Sequence, residues 1–417
     1  MFAMRIFFVF ACLVFFNFTL IDSQLLASEK IIFLQKNNEN IFFRHLLNQI
    51  QGKDLCFITN QSGTGKYLFI PSSKGYATYL HEILASRNFN LYKVFSPEHG
   101  LSSQSEANGY STDMMLTGNI PVFPAYDKTS AELKTIYNGC DTVLFDLPDA
   151  GIRPYTYRTI LSRTIEAIHL MEKKPVFYLI DQPNPASFYN PMPPMVSGEF
   201  FSYLGEEIIP FFPGYTYAEL ARYFIFKKNI HIDIKYIAML NYNPREKQMD
   251  KLTNPMSPSL PHDRSLKCYW ISIFFEGTAL DQGRFTKDPF CLLGHPAIEY
   301  KTNPPDISGI VWKKTIYKPF GGPYQGILMR GYEMQIENID AVGPAKAAYM
   351  ILQYFFNEYP QIPLFGMGNP QYKIDRILGS DSFRKSIEGK RGYEKWQSSE
   401  QIKIEKFIYE MQNFKIY

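Results

Sequence analysis

Glu98 offers the most definite chemistry in this chain. It stands in Ser96-Pro97-Glu98-His99-Gly100, directly after the apolar run Leu91 to Phe95. Proline stiffens the approach to such a turn, and glycine lets backbone or ligand come close. A carboxyl group held there can hand a proton to a leaving oxygen. Hydrolysis of a glycosidic bond usually pairs that acid with a second carboxylate. Asp146, Asp149, Asp181 and Glu276 are candidates for the second role, and residue type alone does not choose among them.

Other chemistries find less support. The seven histidines are scattered, with no HExxH and no paired spacing, so no metal is expected. Ser62-Gly63-Thr64-Gly65-Lys66 resembles the end of a phosphate-binding loop. However, Asn60 occupies the place of its first glycine, and Tyr67 that of its hydroxyl residue. Neither GxGxxG nor GxSxG occurs, which argues against a nucleotide, or any other cofactor, and against a serine nucleophile.

The elements that must position these residues alternate. Leu55 to Ile58 reads as a strand ending in Thr59-Asn60-Gln61, and Ala77, Leu80 and Leu84 recur at helical spacing. Leu91 to Phe95 is a second strand. Thr142 to Phe145 is a third, ending in Asp146 and Asp149-Ala150-Gly151. Leu161, Ile165 and Ile168 mark a helix, and Val176 to Ile180 a fourth strand, ending in Asp181-Gln182-Pro183-Asn184-Pro185. Near-continuous apolar strands separated by helices predict an α/β fold with a parallel sheet covered on both faces. Ligands of such sheets bind beyond the carboxyl ends of the strands. Asn60, Glu98, Asp146, Asp149, Asp181 and Asn184 are therefore expected along one rim. Each cluster alone reads as an ordinary turn, and their shared edge favours a site. Farther on, the pattern predicts a helix over Tyr217 to Lys228 and a strand near Ile232 to Met239. A linker or crossing loop follows through the prolines of Asn254 to Pro261, then a strand-like Ile273-Phe274-Phe275 ending in Glu276. A strand over Ile327 to Ile336, a helix through Ala348 and Phe355 and a Lys-rich amphipathic tail complete the chain.

Bulk properties bound the partners. Of 417 residues, 43 are basic and 40 acidic, and the net charge of +3 gives no reason to expect nucleic acid or an acidic membrane. Aromatics reach 16%, for which core filling is a simpler account than sugar stacking. Arg5 followed by the apolar run Ile6 to Ile21, with small residues through Ser28, has the layout of a secretory signal. Residues 1–28 are expected to be removed and the body exported to the periplasm or beyond. An uncleaved anchor is the alternative. Of five cysteines, Cys12 lies in that segment; Cys56, Cys140, Cys268 and Cys291 are far apart and expected to be buried free thiols.

Several ordered motifs resemble those of one family. They are Thr59-Asn60-Gln61, Phe95 to Gly100, Phe145 to Tyr157, Asp181 to Pro185, Phe275 to Thr278, Arg284 with Thr286 and Pro289-Phe290, and Ile374-Asp375-Arg376 with Gly379. The chain is similar in these to the exo-β-N-acetylmuramidases. The resemblance implies a Rossmann-like N-terminal domain (45–250) without a nucleotide and a smaller α+β C-terminal domain (251–417), with the active cleft between them. It implies removal of terminal β-linked N-acetylmuramic acid from a peptidoglycan-derived saccharide or muropeptide, with Glu98 as general acid. Asn60, His99, Asp146, Arg153, Tyr155, Tyr157 and Glu276 are then expected in the cleft. Arg153 or Arg284 would clamp the lactyl carboxylate, because a guanidinium matches a carboxylate in a bidentate fork. A homodimer is a possible assembly, and the sequence does not decide the oligomeric state. Gln182, Ser197, Phe212-Pro213, Gln282 and Ser259 depart from the family pattern. They keep open a sugar- or muropeptide-binding homologue without turnover, and an amidase or esterase on the same scaffold is a third alternative.

Overall fold

The computed structural model describes residues 30–33, 46–63, 84, 89–102, 115–116, 120–239, 241–247, 255–338, 340–366 and 372–417. The segment read as an export signal, the helical spacing at Ala77 and Leu80, and Thr64 to Lys66 lie outside these residues.

The N-terminal half is built on strands β1 (Lys30–Phe33), β2 (Leu55–Thr59), β3 (Leu91–Ser96), β4 (Met115–Leu116), β5 (Ile120–Pro124), β6 (Thr142–Asp146) and β7 (Val176–Ile180). A hairpin of β8 (Met192–Met195) and β9 (Pro210–Phe212) follows, and β10 (Ile234–Ala238) returns to the main sheet. The order is β1-β10-β7-β6-β2-β3-β5-β4, parallel throughout except for the β4–β5 edge. Every residue of β2 and β6 is buried, as expected of strands covered on both faces. The chain runs outward from β2 through β3 to β5, then crosses back to β6 on the other side. The order therefore reverses between β2 and β6, where such sheets open a crevice. Helices α1 (Ser130–Ile136), α2 (Tyr157–His169) and α3 (Tyr217–Lys227) connect the strands. Capping boxes at Thr129–Glu132 and Thr216–Glu219 start α1 and α3.

The C-terminal half opens with α4 (Asp263–Ser272) and a three-stranded antiparallel sheet of β11 (Leu292–His295), β12 (Ile310–Tyr317) and β13 (Met329–Ile336), in the order β11-β13-β12. Helices α5 (Pro344–Glu358), α6 (Lys373–Leu378), α7 (Ser382–Glu388) and α8 (Tyr393–Met411) complete it. One apolar core runs continuously from Phe145 and Tyr217 to Phe274, Leu293 and Trp396, so the halves share their interior. The tail closes back on the first half. Phe407, Met411 and Phe414 pack against Leu220 and Phe224, and the Tyr417 hydroxyl donates to Asp181 at 2.9 Å.

Two expectations need correction. Ile273–Phe275 is a buried 3-10 turn that prolongs α4, not a strand. A short apolar run looks the same in a buried helix end as in a core strand. The four cysteines of the body form disulfides, Cys56–Cys140 and Cys268–Cys291, with Cα separations of 5.7 and 5.1 Å. Their separations of 84 and 23 residues carried no sign of proximity. The pairing of β2 with β6 creates it for the first pair, and the packing of α4 on the turn before β11 for the second. Replacing Cys56 and Cys140 together by alanine is expected to cost about 2–4 kcal/mol of unfolding free energy, and the shorter Cys268–Cys291 loop less. The check is the denaturant midpoint at unchanged slope.

Candidate active site

At the carboxyl end of β3 the chain enters a tight turn in which both His99 (φ 73°) and Gly100 (φ 77°) are left-handed. Glycine takes this conformation freely, but histidine does so at a cost of roughly 1 kcal/mol or more that the surroundings must offset. The turn is closed by a hydrogen bond from Gly100 N to Pro97 O at 3.1 Å. It buries His99 and leaves Glu98 partly exposed. Glu98 Oε2 accepts a hydrogen bond from Thr156 Oγ1 at 3.0 Å, just before α2. Glu98 lies in a pocket of about 50 Å³ whose walls come from both halves. His99 and Pro154 to Tyr157 line one side, and Ser257, Ser259 and Leu260 a second. Tyr269, Glu276, Arg284 and Phe290 close the third.

The proline-rich stretch is thus a crossing loop that forms a wall. Met256 O accepts from Tyr155 Oη at 3.3 Å and from Tyr157 Oη at 3.1 Å, and Pro255 O accepts from Gln61 Nε2 at 3.3 Å. Asn60 stands behind this wall. Its Nδ2 donates to Tyr157 Oη at 2.8 Å, and its Oδ1 accepts from Ser62 N at 3.0 Å. Asn60 therefore supports Tyr157 and does not itself line the pocket.

Glu276 follows the 3-10 turn, and its neighbour Gly277 explains its placement. Gly277 has φ 90°, and a Cβ there would lie 2.6 Å from the backbone nitrogen of Ile374. Only glycine lets α6 pack this closely, which ties the Glu276 turn to the C-terminal Ile374-Asp375-Arg376 motif. Asp375 in turn is held by Arg384 in a buried ion pair at 2.8 Å. Arg284 Nη1 lies 3.6 Å from Glu276 Oε1. Tyr269 is buried beside both glutamates. Burial first, and then the charges of Glu276 and Glu98, push its phenol up.

The remaining residues expected along the rim point into the protein. Asp146 accepts from Gln182 Nε2 at 2.7 Å. Asp149 accepts from Gly151 N at 3.1 Å and Tyr217 Oη at 3.3 Å, and burial raises its carboxyl to about 6. Asn184 bridges Tyr215 O and Ala186 N, each at 2.8 Å. Asp181 accepts from Ala218 N at 3.0 Å and from Tyr417. Arg153, expected at the substrate carboxylate, is wholly buried, and its guanidinium donates to the carbonyls of Pro194, Ile209, Ile377 and Leu378. Each is held by partners inside the protein: Asp146 by the Gln182 side chain, Asp149 and Asp181 by backbone amides and tyrosine hydroxyls, Asn184 by loop backbone, and Arg153 by carbonyls from both halves. Of the departures from the family pattern, Gln182 and Gln282 are engaged in hydrogen bonds, Phe212 is core, and Ser259 alone faces the pocket. Thr156, Tyr269 and Ser257 were not singled out from sequence as site residues. Thr156 lay within a quoted motif, whereas Tyr269 reads as an ordinary helical core aromatic. Among the described residues no group of three His, Cys, Asp or Glu side chains is arranged to hold a metal.

Asp181 links this interior to pH. Burial chiefly raises its carboxyl from 3.8 to about 7. A carboxyl raised by folding stabilises the protein fully below its unfolded pKa, and that contribution is lost as pH rises to the folded value. Stability contributed at this site should therefore fall between about pH 4 and pH 7. Asp181→Asn is expected to flatten the pH dependence of the melting temperature in that window. A profile identical to that of the unsubstituted protein would contradict it.

Comparison with known proteins assigns the chain to a family. The model of the N-terminal domain of exo-β-N-acetylmuramidase NamZ matches residues 55–264, and that of its C-terminal domain matches residues 267–417. The peptidoglycan β-N-acetylmuramidase NamZ of Bacillus subtilis (strain 168) is 27% identical over 381 residues, 88% of each chain. Two crystal structures of DUF1343-family proteins from Bacteroides fragilis share the fold. Their TM-scores are 0.75 and 0.67 at 19% and 22% identity, covering 90% of this chain and 97% and 96% of theirs. With both domain models matched in order around one shared pocket, the chain belongs to the NamZ exo-β-N-acetylmuramidase family, a family of glycoside hydrolases.

Proposed function

We propose that the protein is an exo-acting glycosidase that hydrolyses terminal β-linked N-acetylmuramic acid from peptidoglycan fragments, with Glu98 as general acid. One observation carries this reading: Glu98 and Glu276, from opposite halves of the chain, line the same pocket. Glycoside hydrolysis calls for such a pair flanking the scissile bond. The Thr156 hydroxyl occupies Oε2 of Glu98 as a donor, which favours the proton on the other oxygen, free to pass to the glycosidic oxygen. Glu276 supplies the second carboxylate, facing the positive charge that develops at the anomeric carbon. Arg284 borders Glu276 and offers the rest of its guanidinium to the lactyl carboxylate that marks muramic acid. The basic and apolar N-terminal run supports an exported enzyme that meets wall fragments outside the cytoplasm.

The test is release of free sugar from an aryl β-N-acetylmuramide. Glu98→Gln is expected to lower kcat by about 10²–10⁴-fold with little change in KM. A variant that keeps kcat within about threefold would sink the assignment, and binding without release by the unsubstituted protein would make it a saccharide-binding homologue. Arg284→Ala is expected to lower kcat/KM on the muramide by about tenfold or more. On the matching N-acetylglucosaminide, which lacks the lactyl group, the loss should be smaller. Equal losses on both substrates would exclude the carboxylate contact.

A further inference from the structure

Gln282, one of the departures from the family pattern, lies outside the pocket lining, yet its side chain spans the loop between two residues that form it. We propose that Gln282 is the positioning residue for Arg284. Its amide ties the arginine's loop to the Glu276 turn and holds the guanidinium ready for the carboxylate of the substrate. The proposal rests on the glycosidase reading above and deepens its account of substrate recognition.

The pair formed by Arg284 and Glu276 does not hold itself in place. At 3.6 Å it is longer than a charge-assisted hydrogen bond, usually about 2.7–2.9 Å. A guanidinium so placed keeps donors for a ligand, provided that the chain fixes its distance from Glu276. The two residues are anchored to different elements. Glu276 is set by Gly277 against the first turn of α6. Arg284 follows a segment pinned to β11. Asp281 N donates to Gly294 O at 2.8 Å, and Gly294 N donates back to Asp281 O at 3.0 Å. Gly283, with φ 65°, lies so close to Leu292 that a Cβ would meet that side chain at 2.7 Å. Asp281 Oδ1 accepts from Gly283 N at 2.8 Å and from Tyr317 Oη at 2.9 Å, which fixes the turn before the arginine.

Gln282 joins the two anchors. Its Nε2 donates at 2.9 Å to the carbonyl of Phe275, the residue before Glu276, and at 2.8 Å to Leu280 O. Phe275 O also accepts from Thr278 N at 2.9 Å and Thr278 Oγ1 at 2.6 Å, so the bond from Gln282 adds register and does not rescue an orphaned carbonyl. Both partners are carbonyl oxygens, and only a donor fits between them. A primary amide brings two N–H groups on one nitrogen, one for each carbonyl. A carboxylate would set acceptors against acceptors and put a second negative charge on the loop of Arg284. A thioether of similar length would fill the space and donate to neither.

The experiment is a double-mutant cycle on an aryl β-N-acetylmuramide, with Gln282→Met, Arg284→Ala and the two combined. Gln282→Met is expected to lower kcat/KM by about fivefold to tenfold, mainly through KM, because it loosens a group that binds substrate. In the Arg284→Ala background the same change is expected to lower it by less than about twofold, since no guanidinium remains to be placed. Circular dichroism and melting temperature identify the folded variants. Gln282→Glu is the second variant, used if Gln282→Met does not fold, and is expected to lose at least as much with the same dependence on Arg284. A lower melting temperature with kcat/KM unchanged would make Gln282 a matter of stability alone and overturns the proposal. Equal losses in the two backgrounds overturn it as well, while the glycosidase reading stands. An unsubstituted enzyme that releases no sugar from the muramide overturns that reading, and this role with it.

Discussion

The buried guanidinium of Arg153 is the constraint on which the rest of the structure depends. Burial, and then the nearby Arg158, lowers its pKa, and among the described residues its partners are backbone carbonyls rather than a carboxylate. Two of those carbonyls, Ile377 and Leu378, end α6, where a helix has no intrahelical donors left and carries partial negative charge. The other two, Pro194 and Ile209, belong to the β8–β9 region of the first half. A single cation thus ties carbonyls from both halves together in the interior, one of which, Ile209 O, also accepts from Val196 N at 3.3 Å. Gly379 makes room for it, since a Cβ there would lie 2.8 Å from Arg153 Nη2.

The consequences reach the pocket in both directions along the chain. Arg153 is followed directly by Pro154 to Tyr157, one wall of the site. The helix it clamps, α6, packs its first turn against Gly277 and so sets the Glu276 turn. The position of one glutamate relative to the other is therefore fixed through a residue that touches neither. The disulfides act in the same sense. The segment between Cys56 and Cys140 carries Glu98, and that between Cys268 and Cys291 carries Tyr269, Glu276, Arg284 and Phe290. Closing each loop removes freedom that would otherwise have to be lost when the pocket forms.

Electrostatics separate the site carboxylates from the structural ones. Asp149 and Asp181 are shut away from water, raised by burial, and spent on backbone amides and tyrosine hydroxyls. They stiffen the carboxyl edge of the sheet. Glu98 and Glu276 keep part of their surface open to the pocket.

Strand and helix placement was legible in the sequence because apolar periodicity reports burial directly, and burial is what makes β2, β6 and α2 form where they do. The motif at Glu98 was legible for a local reason: a Pro-Glu-His-Gly turn positions its own side chain. The chemistry of Arg153, Asp146, Asp181 and Asn184 was not, because a charged or amide side chain at a strand end looks the same whether it faces a ligand or a neighbouring carbonyl. The disulfides and the pairing of Glu98 with Glu276 join residues far apart in the chain, and no local pattern encodes such proximity. The sequence by itself determined the layered α/β fold, the family and the turn that carries Glu98. Only tertiary packing decided which polar groups face the pocket, because hydrogen-bond partners buried across the two halves compete for each of them.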